Sequence, residues 1–130
     1  MLDTNTVSQL IRGAPAIVRE RLVATPMADI CISAITEGEL RFGLARRPAA
    51  IRLAAAVEEF LRGVDVLSWD RRAADRYGSL RAALERRGIP LGNLDTLIAA
   101  HALAVGARLV SSDGAFRRIP ELRPVDWATA

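Results

Sequence analysis

The stretch Asp29-Ile30-Cys31-Ile32-Ser33-Ala34-Ile35-Thr36-Glu37-Gly38-Glu39-Leu40 decides the fold. Its first five residues form a short apolar run, which is typical of a strand buried on both faces of a parallel sheet. A helix is predicted directly behind this run, over Thr36–Arg46. A strand that leads straight into a helix is the repeating unit of an α/β protein, in which helices cover a central sheet.

The same alternation of short strands and helices extends along the chain. Further strands are predicted up to Asp3 and over Val64–Leu67, Arg108–Val110 and Arg123–Asp126. Helices are predicted from about Thr6, over Pro15–Ala24, Pro48–Arg62 and Asp70–Arg87, and from Asn93 or Asp95 to about Val105, with a turn or short helix over Gly114–Ile119. The pattern predicts a single α/β domain spanning residues 1–130, with a mainly parallel sheet of four or five short strands.

Composition excludes several classes of chemistry. The chain has 130 residues with 18 basic and 15 acidic side chains, a net charge of +3, and all of its basic residues are arginine. Without lysine there is no Schiff-base enzyme and no phosphate-binding loop of the P-loop type. The lone Cys31 is predicted to be a core residue and the lone His101 a structural one. No signal-peptide pattern and no apolar stretch of about 18 residues occurs, so we expect a cytoplasmic protein that does not enter a membrane.

Four carboxylates lie where a parallel sheet would place a site. Asp3 follows the first strand, Glu39 lies in the helix after the second, Asp95 opens a late helix and Asp113 follows a late strand. Sites on open parallel sheets form beyond the carboxyl ends of the strands, so these acids could converge. Clustered carboxylates repel one another unless a cation compensates, and Mg²⁺ prefers oxygen ligands.

Each of these acids also has a purely structural interpretation. Asp3 and Asp95 could cap helices, and Asp113 could belong to an ordinary turn. The segment Thr36-Glu37-Gly38-Glu39 matches a capping box, in which Glu39 would only reach back to a backbone N–H. Spacing alone leaves the metal site and the structural roles both open.

Four segments of the chain, taken together, resemble the signature segments of PIN-domain ribonucleases, and most of all the VapC-type toxins of bacterial toxin–antitoxin pairs. The segments are Met1-Leu2-Asp3-Thr4-Asn5, Ser33-Ala34-Ile35-Thr36-Glu37-Gly38-Glu39-Leu40, Gly92-Asn93-Leu94-Asp95-Thr96-Leu97-Ile98-Ala99-Ala100-His101-Ala102-Leu103, and Leu109-Val110-Ser111-Ser112-Asp113-Gly114-Ala115-Phe116-Arg117-Arg118-Ile119-Pro120, with Trp127 beyond them. The resemblance implies a three-layer α/β/α fold and an endoribonuclease dependent on Mg²⁺ or Mn²⁺. It also implies inhibition by a cognate antitoxin protein and homodimerisation.

The resemblance assigns roles to individual residues. The acidic positions of the family fall on Asp3, Glu39, Asp95 and Asp113, with the first three holding the metal and Asp113 binding or orienting a water. Two neighbours of these acids, Asn5 and Ser111, are expected to orient carboxylates by hydrogen bonding. The arginine pair Arg117-Arg118 lies nearest in sequence to Asp113, so we expect it to contact RNA phosphates.

Two other functions and one surface stay open at this point. A metal-dependent phosphatase would also use clustered aspartates, although Asp3-Thr4-Asn5 lacks the second aspartate of an Asp-x-Asp nucleophile motif. A non-catalytic PIN-like binding module would use the acids only structurally. Phe42, Leu44 and the apolar positions of Pro48–Arg62 could line a partner groove or a dimer seam, or could simply pack in the core.

Overall fold

Short parallel strand segments alternate with helices along the whole chain. The structure is a computed structural model that describes residues 1–129. The strands are β1 (Cys31–Ser33) and β2 (Asp65–Leu67), and the helices are α1 (Thr4–Arg12), α2 (Ala16–Ala24), α3 (Ala34–Ala45), α4 (Ile51–Gly63), α5 (Arg71–Arg87) and α6 (Asn93–Val105). Short 3₁₀ turns occupy Met27–Asp29, Gly114–Arg118 and Pro120–Leu122.

The sheet is parallel throughout its described pairs. Strands β1 and β2 pair in parallel, and the backbone N–H of Leu2 donates to the carbonyl of Cys31 across 2.9 Å. Single parallel bridges then join Leu2 to Val110 and Val110 to Val125. The segments therefore lie side by side in the order β2, β1, Leu2, Val110, Val125, which confirms the predicted mainly parallel sheet.

The last two predicted strands are much shorter than expected. Arg108–Val110 and Arg123–Asp126 each contribute one bridged residue, Val110 and Val125. Pro124 has no N–H to donate to a neighbouring strand, and Arg123 adopts a left-handed φ of 47° that turns the chain just before it. The final segment therefore touches the sheet at a single point.

Side-chain alternation along these segments builds two cores, one on each face of the sheet. Met1 and Leu109 pack in one cluster, while their neighbours Leu2 and Val110 pack in the other. Because successive side chains of a strand point to opposite faces, the two clusters lie on opposite sides of the sheet. Helices α5 and α6 cover the first cluster and helices α1, α3 and α4 supply residues to the second. This is the predicted three-layer α/β/α arrangement.

Capping residues fix where the helices begin and end. Helix α3 begins at Ala34 because the hydroxyl of Ser33 caps it by accepting from the N–H of Ile35 across 3.1 Å. Helix α6 begins at Asn93, the earlier of its two predicted starts, and ends at Gly106, whose φ of 70° favours glycine. Over residues 1–129, the helices lack the combination of length and apolar character needed to cross a membrane.

Candidate functional site

Asp3 lies at the carboxyl end of the central strand segment and begins α1. Its backbone N–H donates to the carbonyl of Val110 across 3.0 Å, and its Oδ1 accepts from the N–H of Thr6 across 2.8 Å. The residue is only 3% exposed. Asp3 is thus a helix cap, as its structural interpretation predicts. The cap uses Oδ1 alone, so Oδ2 is available to a ligand.

Glu39 is held by a hydroxyl rather than by a helix terminus. Because α3 begins at Ala34, Thr36 lies inside the helix and the capping-box interpretation of Thr36 and Glu39 is wrong. Glu39 Oε1 instead accepts from the hydroxyl of Thr4 across 2.8 Å, and the hydroxyls of Thr4 and Thr36 are 3.2 Å apart. A chain of two hydroxyls therefore connects the buried interior of α3 to the Glu39 carboxylate.

Asp95 lies in the first turn of α6, where it makes no capping hydrogen bond. The pKa of its carboxyl is raised, first by burial and then by the negative charges of Asp113, Asp3 and Glu39. The charges of the other three predicted acids therefore reach Asp95, although 110 positions separate Asp3 from Asp113 in the sequence. Asp3 and Asp113 follow the neighbouring strand segments of Leu2 and Val110 at their carboxyl ends.

Asp113 is the most open of the four acids. Its Oδ1 accepts from the N–H of Ala115 across 2.9 Å and caps the 3₁₀ turn Gly114–Arg118. Its backbone N–H donates to the hydroxyl of Ser111 across 3.0 Å. Ser111 therefore positions the backbone of Asp113 and not its carboxylate.

Two cavities meet at Asp113. One is lined on the α1 side by residues that include Asn5, Ser8 and Arg12. Asn5 is exposed there and makes no hydrogen bond to a carboxylate among the described residues. The other cavity holds Arg117, whereas Arg118 does not line it. The structure thus places Arg117, of the two predicted phosphate contacts, beside a carboxylate.

The donor set fits a hard divalent cation. Within residues 1–129, no three Asp, Glu, His or Cys side chains lie close enough together to form a ready-made metal cage. Mg²⁺ needs only one or two carboxylates because it retains several waters. Burial and the charges of three neighbouring carboxylates raise the pKa of Asp95, and a bound cation would stabilise its charged form. The carboxylate oxygens are therefore compatible with a divalent cation such as Mg²⁺.

His101 is a structural residue, as predicted. It is 1% exposed, its Nδ1 lies 2.7 Å from the Ser33 hydroxyl, and it also contacts the backbone of Ser68. The pKa of His101 is lowered, chiefly by burial. A neutral imidazole ring can accept a hydrogen bond from the Ser33 hydroxyl and donate one to the Ser68 carbonyl, so both ring nitrogens then have partners. The ring also joins the start of α3 to α6.

A groove with an apolar floor and a polar, charged rim adjoins Glu39 on the other side of the site. Its volume is about 150 Å³, and its lining from α1, α3 and α4 includes Ile11, Leu44 and Val57, with Arg12 and Arg46 beside them. Leu44 is partly buried here, while Phe42 is 61% exposed, with the guanidinium of Arg46 4.9 Å from its ring centroid. Leu44 thus serves both the core and the groove, and Phe42 lies outside the core.

Sequence reasoning missed Thr4, Arg12 and Arg21. Thr4 lies directly after Asp3, but the predicted start of α1 at about Thr6 left it in a turn. Arg12 is the last residue of α1, and with Ser8 it lines both the groove beside Glu39 and the cavity on the α1 side of Asp113. Arg21 lines a cavity together with Asp113 only because α2 packs against the C-terminal segment. Nothing in the spacing of the arginines distinguishes these two from the rest.

Comparison with known proteins yields a consistent set of relatives. The PIN domain family model matches residues 1–122. The chain is 41% identical over 128 residues to the tRNA(fMet)-specific endonuclease VapC of Salmonella typhimurium strain LT2, covering 98% of this chain and 96% of that protein.

Solved structures agree with this result. Superposition on DNA-bound VapBC from Salmonella typhimurium gives a TM-score of 0.91 at 41% identity, covering 98% of this chain and 96% of that one. Superposition on VapBC2 from Rickettsia felis, bound to a DNA fragment from its promoter, gives a TM-score of 0.90 at 32% identity, covering 98% of this chain and 97% of that one.

Proposed function

This chain belongs to the PIN-domain family, and on that premise we propose that it is a Mg²⁺-dependent endoribonuclease and the toxin of a type II toxin–antitoxin pair. Nucleases of this family are metal-dependent as a class, and relatives that match nearly the whole chain are named as endonucleases or ribonucleases. The observation that carries the proposal is that Asp3 and Asp113 follow neighbouring parallel strand segments at their carboxyl ends. Burial, and then the charges of these two acids and of Glu39, raise the pKa of Asp95.

Asp3, Glu39 and Asp95 would hold the metal, one or two of them directly and the others through waters that Mg²⁺ retains. Asp3 offers the oxygen that its helix cap leaves available, Glu39 is oriented by Thr4, and Asp95 is the acid most affected by the surrounding negative charge. Mg²⁺, or Mn²⁺ in its place, would stabilise charge on the phosphate and lower the pKa of a bound water. The residues have to be held rigidly, and the hydrogen bonds from Thr6 and Thr4 do so.

Asp113 would orient the attacking water. It is exposed, it lies where two cavities meet, and its carboxylate is fixed by Ala115 at one oxygen only. Its second oxygen can accept a proton from water that approaches a phosphate lying between the cavities. Arg117 would bind the RNA backbone beside it, and Asn5 and Ser111 would support the site from the α1 and strand sides.

The groove beside Glu39 would receive the antitoxin. The apolar floor with Ile11, Leu44 and Val57 suits a nonpolar side chain of a protein segment, and the acids at its end suit a basic one. Its position would place a bound antitoxin directly against the metal-holding carboxylates and block RNA. Exposed Phe42 at the groove margin would add to this contact or to a homodimer interface. We place the protein in the cytoplasm, where its single, partly buried cysteine stays reduced.

An RNA-cleavage assay tests the proposal. Purified protein is incubated with cellular RNA in Mg²⁺ or in EDTA, beside Asp3→Asn, Asp95→Asn and the control Asp75→Asn, which changes an exposed acid on α5 far from the site. We expect the wild type and Asp75→Asn to cleave RNA in Mg²⁺ and not in EDTA, and Asp3→Asn and Asp95→Asn to cleave RNA in neither. Cleavage in EDTA or by Asp95→Asn would overturn the proposal, and hydrolysis of a phosphomonoester without RNA cleavage would favour a phosphatase.

A further inference from the structure

The cavity that holds Arg117 beside Asp113 also holds a second arginine, Arg21, to which the sequence assigns no role. Its volume is about 300 Å³, which is at the lower end of the range of small-molecule sites, about 300–1,000 Å³. Its walls come from three distant parts of the chain: α2 contributes Arg21, the 3₁₀ turn contributes Arg117, and the C-terminal segment contributes Asp126 and Thr129. The cavity shares Asp113 with the space above α1.

Both arginines of this cavity have donors to spare. Arg21 spends one N–H on the carbonyl of Thr129, across 2.9 Å, out of the five that a guanidinium carries. The guanidinium of Arg117 makes no hydrogen bond and no ion pair with any side chain or backbone group of residues 1–129. Neither arginine lies within 4.0 Å of a carboxylate oxygen over those residues.

The one additional acid in the cavity is already engaged. Asp126 Oδ1 accepts from the hydroxyl of Ser112 across 2.7 Å and from the N–H of Ala128 across 2.9 Å. The pKa of Asp126 is lowered, first by the Ser112 hydroxyl and further by the charges of Arg117 and Arg21. Asp126 is thus bound to Ser112 and Ala128, and it connects the C-terminal segment to the loop that carries Asp113.

We propose that Arg21 and Arg117 together bind the RNA phosphate next to the scissile one, on the side of Asp113 away from Glu39. The inference rests on the proposed function, since it assigns one wall of that same site to a neighbouring phosphate. Guanidinium groups bind phosphate oxygens in pairs of hydrogen bonds. Two of them from opposite walls would fix the register of the strand over Asp113. Such contacts position the backbone and carry no sequence preference.

Binding of a short, fluorescently labelled single-stranded RNA tests the inference. Arg21→Ala and Arg117→Ala are compared in the Asp95→Asn background with the controls Arg19→Ala, on the same helix as Arg21, and Arg87→Ala, at the end of α5. All four changes remove one positive charge, so general attraction to RNA falls equally. Loss of one charge-assisted contact predicts that the first two variants bind about tenfold more weakly and that the controls differ little.

The double variant Arg21→Ala/Arg117→Ala sharpens the test. Because both side chains would hold one phosphate, their effects on binding should be coupled, so the loss of affinity in the double variant should differ from the product of the two single losses. In an Asp95-containing protein the same changes should raise KM for RNA and leave the Mg²⁺ dependence of the rate unchanged. If Arg21→Ala unfolds the end of the chain, Arg117→Ala still tests the cavity, since Arg117 holds nothing in place.

The possible outcomes separate the two proposals. Equal binding by Arg117→Ala and the controls would overturn the inference even if the wild type cleaves RNA. Specific weakening by Arg21→Ala and Arg117→Ala would support the phosphate site even if no cleavage occurs, and the proposed function would then fail by itself. Unchanged RNA binding with weakened antitoxin binding would make the cavity part of a protein interface, and the inference would be wrong.

Discussion

Replacing Thr4 by valine tests how the site holds Glu39. The change keeps the shape of the side chain and deletes the hydroxyl that donates to Glu39 Oε1 across 2.8 Å. A hydrogen bond to a charged group is worth about 1.5–3 kcal/mol, and about 1.4 kcal/mol corresponds to a factor of ten. Groups that orient metal-binding carboxylates contribute about 10–100-fold to metal affinity or activity, which is the same range. We therefore expect Thr4→Val to lower kcat/KM for RNA by about 10–100-fold at limiting Mg²⁺.

The assay is the rate of RNA cleavage over a series of Mg²⁺ concentrations. The Thr4→Val curve should shift to higher Mg²⁺ and recover part of the lost rate there. Thr4→Ser keeps the donor and should follow the wild type. Valine also deprives the buried Thr36 hydroxyl of its partner, so Thr36→Val serves as the control for lost stability, and rates are normalised to folded protein. A wild-type Mg²⁺ dependence in Thr4→Val, or an equal loss in Thr4→Ser, would refute the reasoning.

Three further predictions concern stability. In EDTA at neutral pH, Asp95→Asn should melt at a higher temperature than the wild type, because burial and three carboxylates raise the pKa of Asp95 above its ordinary 3.8 and make its charged form costly. The charged carboxylate of Asp95 forms only as the pH rises through its pKa in the folded protein, so Asp95→Asn and the wild type should melt at the same temperature at about pH 4. A higher melting temperature of Asp95→Asn at that pH would contradict the prediction. The lowered pKa of His101 means that the wild type loses stability as pH falls below about 6.5. The melting profile of His101→Gln should lack this component, and identical profiles would show that the buried ring does not titrate. Phe116 is fully buried, so Phe116→Ala should cost about 3–5 kcal/mol in urea unfolding and Phe116→Leu clearly less, whereas equal costs would mean that the ring is not well packed.

Local patterns were sufficient to predict most helices and the first three strand segments. The apolar run before Ser33 and the alternation over Val64–Leu67 are strong signals, because burial of both sheet faces constrains every residue in them. Helix α5 was predicted closely, since Asp70 caps its start and Gly88 ends it. The start of α3 was missed because Ser33 and Thr36 are both good capping residues, and the competition is decided by where β1 ends.

The sequence predicts the four acids as a site, which stays a prediction, but it does not indicate the groups that hold and surround them. Thr4, Arg12 and Arg21 have no distinctive spacing, and their proximity to Glu39 and Asp113 arises only when α1, α2 and the C-terminal segment pack against the sheet. Ser111 was predicted beside Asp113 and lies there, yet its hydroxyl contacts a backbone amide. Which atom of a neighbour a side chain contacts depends on backbone geometry that sequence does not specify.

The central claim is that Asp3, Glu39 and Asp95 hold a divalent cation. Anomalous diffraction from crystals soaked in Mn²⁺, recorded for the wild type and for Asp95→Asn, tests it most directly. We expect one or two peaks at about 2.0–2.1 Å from carboxylate oxygens among Asp3, Glu39 and Asp95, the distance at which an octahedral cation such as Mg²⁺ binds oxygen, and a weakened or absent peak in Asp95→Asn. A wild-type crystal with no peak at these oxygens, or an unchanged peak in Asp95→Asn, would contradict the account.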